Sequence, residues 1–244
     1  MIYAIFSDIH GNLEALTVAI NYVVDLGITK ILCCGDTMGY GPNPIECLHF
    51  IQQYQCLCVA GNHDKAIVRD SVGIYFNEDA VVALNIQRTN LSLQDIEYLK
   101  KLPSKRVFRS FVITHSSLDK RTPFRYITDE VSARNSLRNT RKNIVFIGHS
   151  HIPSCFILGK NTFQSVSAKY GIDLDIEKGN KYIINVGSIG QPRDGNPELS
   201  LCLFDDISMI VRIVRLPYPV SLTQEHMKKM DLPDFLIQRL NHGI

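Results

Sequence analysis

The sequence predicts an α/β fold whose first half contains parallel strands and whose second half adds antiparallel ones. As far as residue 151, short apolar runs that end in polar residues alternate with segments of helical apolar spacing. The first two runs, at 1–6 and 30–34, enclose a helical pattern at 13–26, which predicts a right-handed βαβ unit. Beyond Pro153, short alternating runs separated by Gly, Asn and Asp are typical of antiparallel strands.

The first strand-helix-strand unit has clear boundaries in the sequence. Apolar residues at helical spacing define the helix at 13–26, and Gly27 after it is a typical C-cap. The short apolar run at 30–34 predicts a buried strand that ends at a glycine, where the backbone can turn sharply. A loop rich in Gly and Pro then precedes a helix that ends near residue 54.

The middle of the chain continues the alternation of strands and helices. A third strand at 56–60 precedes a long helical stretch at 65–102, in which Asn77 and Ser92 are expected N-caps. We interpret this stretch as a helical flank or a partial lid. Two further strands and a basic helix between them are expected at 107–113, 143–147 and 129–139.

The second half is predicted to be mainly β-structure with a helical end. Strands are expected at 155–158, 162–168, 181–186, 199–204 and 209–216. The segment 221–240 has helical spacing and is expected to break near Pro233. Because the sequence shows no repeat, low-complexity tract or linker, we expect one domain spanning residues 1–244, with a boundary near residue 153 as the alternative.

The composition is that of a globular protein with a large core. Apolar residues make up 45% of the 244 residues, and the mean hydropathy is zero. The seven cysteines are odd in number, and Cys33, Cys34, Cys56 and Cys58 fall within apolar strand patterns without Cys-x-x-Cys spacing, so we expect reduced, buried thiols. No charged segment precedes the first strand and no apolar run is long enough to span a bilayer, so we expect a cytoplasmic protein without a membrane partner.

Charge is distributed unevenly along the chain. Residues 1–104 hold 6 Lys and Arg against 11 Asp and Glu, whereas residues 105–142 hold 10 against 3. Such a basic segment is either a solvated helix face or a surface that attracts a phosphate-rich substrate. The net charge of +2 argues against a dedicated nucleic-acid binder.

Five predicted strand ends are followed directly by polar residues that can bind metals. Five of the eight histidines belong to this group. Because ligand sites in open α/β sheets lie beyond the carboxyl ends of the strands, we expect these side chains to meet at one edge. They are Asp8, His10, Asp36, Asn62, His63, His115, His149 and His151.

The types of ligand indicate a pair of divalent ions. Carboxylate, imidazole and amide groups without a thiolate suit Mn, which we expect first, and also Fe, Zn, Co or Ni. These groups are too many for one ion, and a carboxylate at Asp36 shared by two ions accounts for their number. Two ions ~3.5–4 Å apart can hold a bridging hydroxide and stabilise the in-line displacement of a phosphate ester. The sequence therefore predicts phosphate-ester hydrolysis.

The order of these motifs resembles that of the calcineurin-like metallophosphoesterase superfamily. The resemblance covers residues 2–151 and implies a four-layer sandwich, in which two mixed β-sheets lie face to face with helices outside. It also implies a phosphoesterase similar to small bacterial phosphodiesterases, some of which act on diadenosine polyphosphates. The matching motifs are Asp8-x-His10, Gly35-Asp36, Gly61-Asn62-His63-Asp64, His115 and Gly148-His149-x-His151.

The resemblance also implies which residues hold each ion. One ion would be bound by Asp8, His10, Asp36 and His151. The other would be bound by Asp36, Asn62, His115 and His149. Two carboxylates cannot neutralise two divalent ions, so such a centre attracts an anionic phosphoryl group.

Further residues of the motifs are expected to serve the substrate. His63 would protonate the leaving oxygen or hydrogen-bond the phosphoryl group, with Asp64 orienting its ring. Arg193, in a later loop rich in Gly and Pro, would grip phosphate oxygens or form a structural salt bridge. Asn62 is expected to contact the substrate as well as metal, whereas Asn12 either contacts the substrate or caps the first helix.

We therefore expect a two-metal hydrolase of phosphodiester or nucleotide polyphosphate bonds. The alternatives are a catalytically weak scaffold for protein interaction and a phosphatase that acts on proteins or phosphomonoesters. Ser116 departs from the family pattern, because it stands where relatives often have Gly after the histidine. A side chain there is expected to narrow the phosphate pocket.

Overall fold

The computed structural model describes residues 1–69 and 76–244, whose strands form two mixed sheets. Part of the expected lid at 65–102 lies outside these residues. The elements are β1 (Ile2–Phe6), α1 (Leu13–Asp25), β2 (Lys30–Cys33), α2 (Pro44–Gln53), β3 (Leu57–Cys58), α3 (Asn62–Ile67), α4 (Glu78–Arg88), α5 (Leu93–Lys101), β4 (Lys105–Val107), β5 (Phe111–Thr114), α6 (Glu130–Leu137), β6 (Ile144–Ile147), β7 (Ser154–Leu158), β8 (Phe163–Ser167), β9 (Ile172–Asp175), β10 (Lys181–Asn185), β11 (Leu199–Asp205), β12 (Ile210–Leu216), α7 (Val220–Lys229), α8 (Asp234–Gln238) and a 3₁₀ turn (Arg239–Asn241).

Each sheet combines a parallel group of strands with an antiparallel group. The first sheet has the order β3-β2-β1-β11-β12-β9, in which β1, β2 and β3 are parallel. The second has the order β4-β5-β6-β10-β7-β8, in which β5, β6 and β10 are parallel. The strands beyond Pro153 thus complete both sheets, because β11, β12 and β9 extend one and β10, β7 and β8 extend the other.

Alternation along the strands produces the four layers. In β1, Ile5 faces the second sheet, whereas Ala4 and Phe6 pack with the helices on the outer side. In β6, Phe146 faces the first sheet, where its ring centroid lies 5.2 Å from that of Phe204. The outer side of each sheet is covered by helices, α1 and α2 on the first and α6 on the second. The predicted sandwich of two mixed sheets flanked by helices is confirmed.

Several predicted elements have different boundaries in the structure. The single strand predicted at 107–113 is wrong, because β4 and β5 form an antiparallel hairpin closed by a hydrogen bond between Phe108 N–H and Phe111 O. The edge strand β9 was not predicted. The stretch at 65–102 contains the end of α3 followed by α4 and α5, with Asn77 and Ser92 as N-caps. The C-terminal helical segment breaks at Pro233, as expected.

The parallel strands bring the polar motifs to one edge of the sandwich. Hydrogen bonds join the loops that follow them, as in Asp8 N–H to Gly35 O at 2.9 Å. The two sheets are joined as well, since His149 N–H donates to Asp8 Oδ2 at 2.9 Å. The seven cysteines are free and buried, in agreement with the sequence. Among the described helices, none has both the length and the apolar character that crossing a membrane requires.

Candidate metal centre

The candidate ligands lie in loops whose backbone is held in an unusual conformation. Six residues at the site have positive φ angles, which residues other than Gly rarely adopt. Each such conformation costs about 1–3 kcal/mol and persists only where neighbouring contacts fix it. The φ angles are 52° at Asp8, 48° at His10, 56° at Asp36, 55° at Tyr40, 70° at His149 and 60° at His151.

The first cluster of ligand atoms joins β1 to the loop after β6. It consists of Asp8, His10 and His151, all of which are buried. His151 Nε2 lies 3.3 Å from Asp8 Oδ1 and 3.2 Å from His10 Nε2. His10 Nε2 lies 3.8 Å from Asp8 Oδ1 and 3.9 Å from Asp36 Oδ2, so the cluster borders the Asp36 carboxylate.

The second cluster joins β2 to the loops after β3, β5 and β6. Asp36, His115 and His149 form it, and all three are buried. His115 Nε2 lies 3.1 Å from Asp36 Oδ2, 3.1 Å from His149 Nδ1 and 2.9 Å from Asn62 Oδ1. The structure thus brings Asn62 to this cluster and leaves Asp36 between the two.

Three histidines are oriented by backbone carbonyls behind the site. His10 Nδ1 lies 2.8 Å from Met38 O, His115 Nδ1 lies 2.9 Å from Cys34 O, and His151 Nδ1 lies 2.6 Å from Gln191 O. A carbonyl can only accept, so each Nδ1 carries a proton and donates it. When these rings are neutral, their Nε2 atoms present lone pairs to the site, as in metal-binding histidines of other proteins.

The chemistry of the two clusters fits divalent cations. Neutral His10 and His151 would turn nitrogen lone pairs toward each other at 3.2 Å, an arrangement that a cation stabilises. Asp8 Oδ1 is buried without a hydrogen-bond partner among the described residues. Buried carboxylate oxygens are normally hydrogen-bonded or bound to metal. The buried Asp and His clusters could therefore hold metal ions.

The local electrostatics agree with this assignment. Burial lowers the pKa of His149 to about 3 and the pKa of His63 to about 4, so both rings are neutral at pH 7. Burial also acts to lower the pKa of His115, but the Asp36 carboxylate raises it to about 9. A proton on His115 thus balances Asp36 when no other cation does, and a divalent ion between the two groups stabilises the same carboxylate.

Asp64 contacts the backbone of the Asp36 loop and not the His63 ring. Its carboxylate accepts hydrogen bonds from the backbone N–H groups of Asp36 at 2.8 Å, Thr37 at 3.0 Å, Gly61 at 3.0 Å and Met38 at 3.1 Å. No hydrogen bond joins it to His63 in the described structure. The expectation that Asp64 orients the ring is replaced by a role in fixing the loop that carries Asp36.

His63 lies between aromatic rings at the side of the centre. Its ring centroid is 4.6 Å from that of Tyr40, 4.8 Å from that of His10 and 4.7 Å from that of Phe76. Its Nδ1 is buried without a partner among the described residues, and its backbone N–H donates to Asp36 Oδ1 at 2.9 Å. Packing, and not a carboxylate, therefore orients this side chain next to Asp36.

Asn12 lies behind the centre, where its side chain is fully used. Its Oδ1 accepts the N–H of Ala15 at 3.1 Å and the hydroxyl of Thr223 at 3.1 Å, while its amide donates to Gly190 O at 2.9 Å. It is buried and does not line the cavity next to the ligands. The structure favours the capping role over the expected substrate contact.

Four of the candidate ligands line a cavity of about 840 Å³. We call Asp36, Asn62, His149 and His151 its floor, together with the ligands that they contact. The helical wall consists of Lys65, Ala66, Arg69, Phe76 and Asn77, and the loop wall consists of Arg121, Thr122, Pro123, Phe124 and Tyr126. Tyr40, His63 and Arg193 complete the lining. Of the basic segment at 105–142, Arg121 is the cation that reaches this lining.

Arg193 is held at the edge of the cavity by two contacts. Its guanidinium donates to Gln191 Oε1 at 2.6 Å and lies 5.4 Å from the ring centroid of Tyr40. Gln191 is in turn the residue whose carbonyl orients His151. The structure thus shows neither a carboxylate partner for Arg193 nor a position away from the ligands, and the salt-bridge alternative is not supported among the described residues.

Sequence reasoning missed the residues of the two walls. Tyr126 stacks on His149, with ring centroids 4.2 Å apart and an interplanar angle of 15°. Phe124 lies with its ring centroid 5.9 Å from that of His115, and Lys65 Nζ lies 5.1 Å from the Phe124 centroid. The sequence signal for these residues is a Pro-Phe-Arg-Tyr run that follows His115 inside the basic segment. A loop has no periodic apolar pattern, so the run does not predict where its side chains lie.

Ser116 has a different effect from the one expected. It is buried and does not line the cavity, so it does not narrow the phosphate pocket. Its hydroxyl donates to the carbonyl of Arg125, between the two aromatic residues of the loop wall. Ser116 therefore ties the loop wall to the strand that delivers His115.

Comparisons with known proteins agree with this geometry. Residues 1–206 match the model of the calcineurin-like phosphoesterase superfamily domain. An uncharacterized protein of Methanocaldococcus jannaschii is 34% identical over 248 residues, which cover 98% of this chain and 97% of that protein. A metallophosphoesterase from Sphaerobacter thermophilus is 31% identical, with a TM-score of 0.86 and complete coverage of both chains.

A more distant structure shares the fold. A hypothetical protein from Pyrococcus horikoshii is 20% identical, with a TM-score of 0.81 over 100% of this chain and 98% of that one. The family match spans most of the chain, and both ligand clusters lie within the matched residues. The chain belongs to the calcineurin-like phosphoesterase superfamily.

Proposed function

We propose that this phosphoesterase uses two divalent ions to hydrolyse phosphodiester or nucleotide polyphosphate bonds. Metal-dependent hydrolysis of phosphoesters follows from membership of the family. The observation that supports two ions is the position of Asp36. Its Oδ2 lies 3.1 Å from His115 Nε2 and 3.9 Å from His10 Nε2, so one carboxylate borders both ligand clusters.

The proposed ligands divide between the two clusters. Asp8, His10, Asp36 and His151 would hold one ion, and Asp36, Asn62, His115 and His149 would hold the other. Manganese is the preferred ion, with Fe, Zn, Co or Ni as alternatives, because the donors are oxygen and imidazole without thiolate. When bound, the ions supply an activated water molecule and Lewis-acid stabilisation of the phosphoryl oxygens.

The charge of the cavity favours an anionic substrate. Among the described residues that line the cavity, one is acidic, Asp36. Four are basic, namely Lys65, Arg69, Arg121 and Arg193. A phosphate ester is therefore attracted to the floor before any bond is broken. Arg193, held by Gln191, would donate two N–H groups to one phosphate.

We assign His63 to the leaving group or the phosphoryl oxygens. The His63 ring lines the cavity. The backbone N–H of His63 donates to Asp36 Oδ1, and this hydrogen bond holds the residue next to the floor. A ring N–H in this position stabilises negative charge as it develops on an oxygen of the substrate. Because burial keeps this ring neutral at pH 7, its N–H would hydrogen-bond the leaving oxygen, and a proton passed to that oxygen would have to come from the minor imidazolium form.

The test is a comparison of substrates with purified protein reconstituted with Mn²⁺. Bis-para-nitrophenyl phosphate, para-nitrophenyl phosphate and diadenosine tetraphosphate distinguish a diesterase, a monoesterase and a polyphosphate hydrolase. We expect turnover of the first and third substrates and its loss when EDTA removes the ions. Faster turnover of para-nitrophenyl phosphate than of both others would contradict the proposal in favour of a phosphomonoesterase. Absence of turnover with all three would favour a scaffold.

A further inference from the structure

The two walls extend the cavity well beyond the space that a phosphoryl group needs. The volume of about 840 Å³ lies in the range of pockets that enclose whole small-molecule ligands, of about 300–1,000 Å³. The floor accounts for the reacting phosphate. The walls therefore face the part of the substrate that lies beyond that phosphate.

The loop wall presents a flat aromatic surface next to the floor. One face of Tyr126 stacks on His149 at 4.2 Å, and the residue remains 49% exposed. The stack ties the ring plane to that of a proposed metal ligand, so a group attached to the bound phosphate passes close to Tyr126. Stacking on an aromatic side chain is how proteins bind nucleobases without reading their sequence.

The loop wall is held in place on the side of the cavity. Phe124 has a φ angle of 63°, a strained conformation for a bulky residue. Two contacts fix it, the Ser116 hydroxyl on the next carbonyl and the Lys65 ammonium 5.1 Å from the Phe124 centroid. The second contact joins the loop wall to the helical wall.

The charged groups of the walls indicate more than one phosphate. Arg121 forms a bidentate pair with Asp119, with Nε to Oδ1 and NH2 to Oδ2 both at 3.1 Å, so much of its charge is balanced. Lys65 and Arg69, on the helical wall, and Arg193, at the edge, have no acidic partner among the described residues. Because Arg193 is assigned to the reacting phosphate, Lys65 and Arg69 remain on the helical wall to bind further phosphates.

We infer that Tyr126 is a stacking platform for the base of a nucleotide, and that the wall cations bind further phosphates between this base and the floor. The substrate class is then a nucleotide with two or more phosphates. This inference rests on the proposed function, since it places the reacting phosphate on the floor. Tyr126 acts as a specificity-determining residue that the cleavage itself does not need.

The experiment compares binding of two probes to the Mn²⁺-reconstituted protein by calorimetry. One probe is adenosine triphosphate with methylene groups in place of both bridging oxygens, and the other is the same triphosphonate without the nucleoside. We expect the nucleoside to tighten binding by about tenfold, the effect of one stacked base. Tyr126→Leu should remove most of this gain and leave the dissociation constant of the base-free probe unchanged. Tyr126→Phe should keep the gain.

Control variants separate stacking from a structural role. Tyr170→Leu makes the same change at a tyrosine that is 83% exposed and outside the cavity lining, and should alter neither dissociation constant. Lys65→Met should weaken both probes to a similar extent, because both carry the phosphonates. Equal nucleoside gains in wild type and Tyr126→Leu would overturn the inference. Equal weakening of both probes by Tyr126→Leu would also overturn it, since the ring would then only support His149.

The outcome is distinct from that of the proposed function. A protein that hydrolyses bis-para-nitrophenyl phosphate but binds both probes equally retains the proposed function and loses the stacking platform. A protein that hydrolyses none of the three test substrates loses the proposed function whatever it binds.

Discussion

The floor of the cavity is buried and cross-linked, whereas the walls are half exposed and attached at fewer points. Every candidate ligand of the floor except Asn62 is at most 8% exposed, while Tyr126 on the loop wall is 49% exposed. Hydrogen bonds from Asp64 and backbone carbonyls fix the floor, and the loop wall is tied down by Ser116 and by packing. The difference suggests that the floor sets the reaction and the walls set the choice of substrate.

The largest expected effect is at the centre of the floor. Asp36→Asn removes the carboxylate that borders both clusters, and we expect turnover of bis-para-nitrophenyl phosphate to fall by at least ~100-fold, with loss of bound metal. Asp173→Asn makes the same change on the surface, where Asp173 pairs with Arg212, and should leave both unchanged. Full activity in Asp36→Asn would contradict the shared-ligand assignment.

A second change tests whether the floor depends on the hydrogen bonds that Asp64 accepts from the Asp36 loop. Asp64→Ala leaves buried backbone N–H groups without an acceptor, and we expect a loss of about 3 kcal/mol or more in the free energy of unfolding. Urea unfolding monitored by circular dichroism measures this loss, and metal content should fall because the Asp36 loop is released. A variant that keeps its stability and metal but loses activity would restore a direct catalytic role for Asp64.

A change at His63, beside the floor, tests catalysis separately from metal binding. In His63→Ala we expect both ions to be retained and hydrolysis to slow by roughly 100-fold, because a group that stabilises charge or moves a proton is lost. Elemental analysis and initial rates provide the two readouts. His242→Ala, at an exposed histidine outside the cavity lining, is the matched control. Loss of metal in His63→Ala would mean that His63 is a ligand, together with His10 and Asp36.

The smallest expected effect is at the attachment of the loop wall. Ser116→Ala removes one hydrogen bond to Arg125 O, worth about 1 kcal/mol. We expect a severalfold rise in KM for diadenosine tetraphosphate with kcat unchanged, since the wall moves and the floor does not. A fall in kcat with unchanged KM would contradict the division between floor and walls.

The sequence predicted the floor better than the walls for a physical reason. Each candidate ligand of the floor lies within four residues of the end of a strand, so its position is determined by the sheet, whose apolar runs are visible in the sequence. Tyr126 and Phe124 lie in a loop, where no periodic pattern fixes the path of the chain. The hairpin of β4 and β5 was missed for a related reason, because the turn at 108–110 contains no Gly, Pro or Asn.

The role of Asp64 was beyond the reach of the sequence for another reason. A carboxylate next to His63 in the chain suggests a pair, but consecutive residues at the start of α3 point in different directions. Only the folded loop shows that the N–H groups of Asp36 and Gly61 converge on Asp64. The partners of the Asp64 carboxylate are thus set by contacts between loops that are distant in sequence, and not by its position next to His63 in the chain.

The central claim is that the folded chain holds two ions around Asp36. Its most direct test is elemental analysis of the protein after reconstitution with excess Mn²⁺ and removal of free ions. We predict two manganese ions per polypeptide, falling to one or none in Asp36→Asn. A wild-type stoichiometry of one or none under the same conditions would contradict the account.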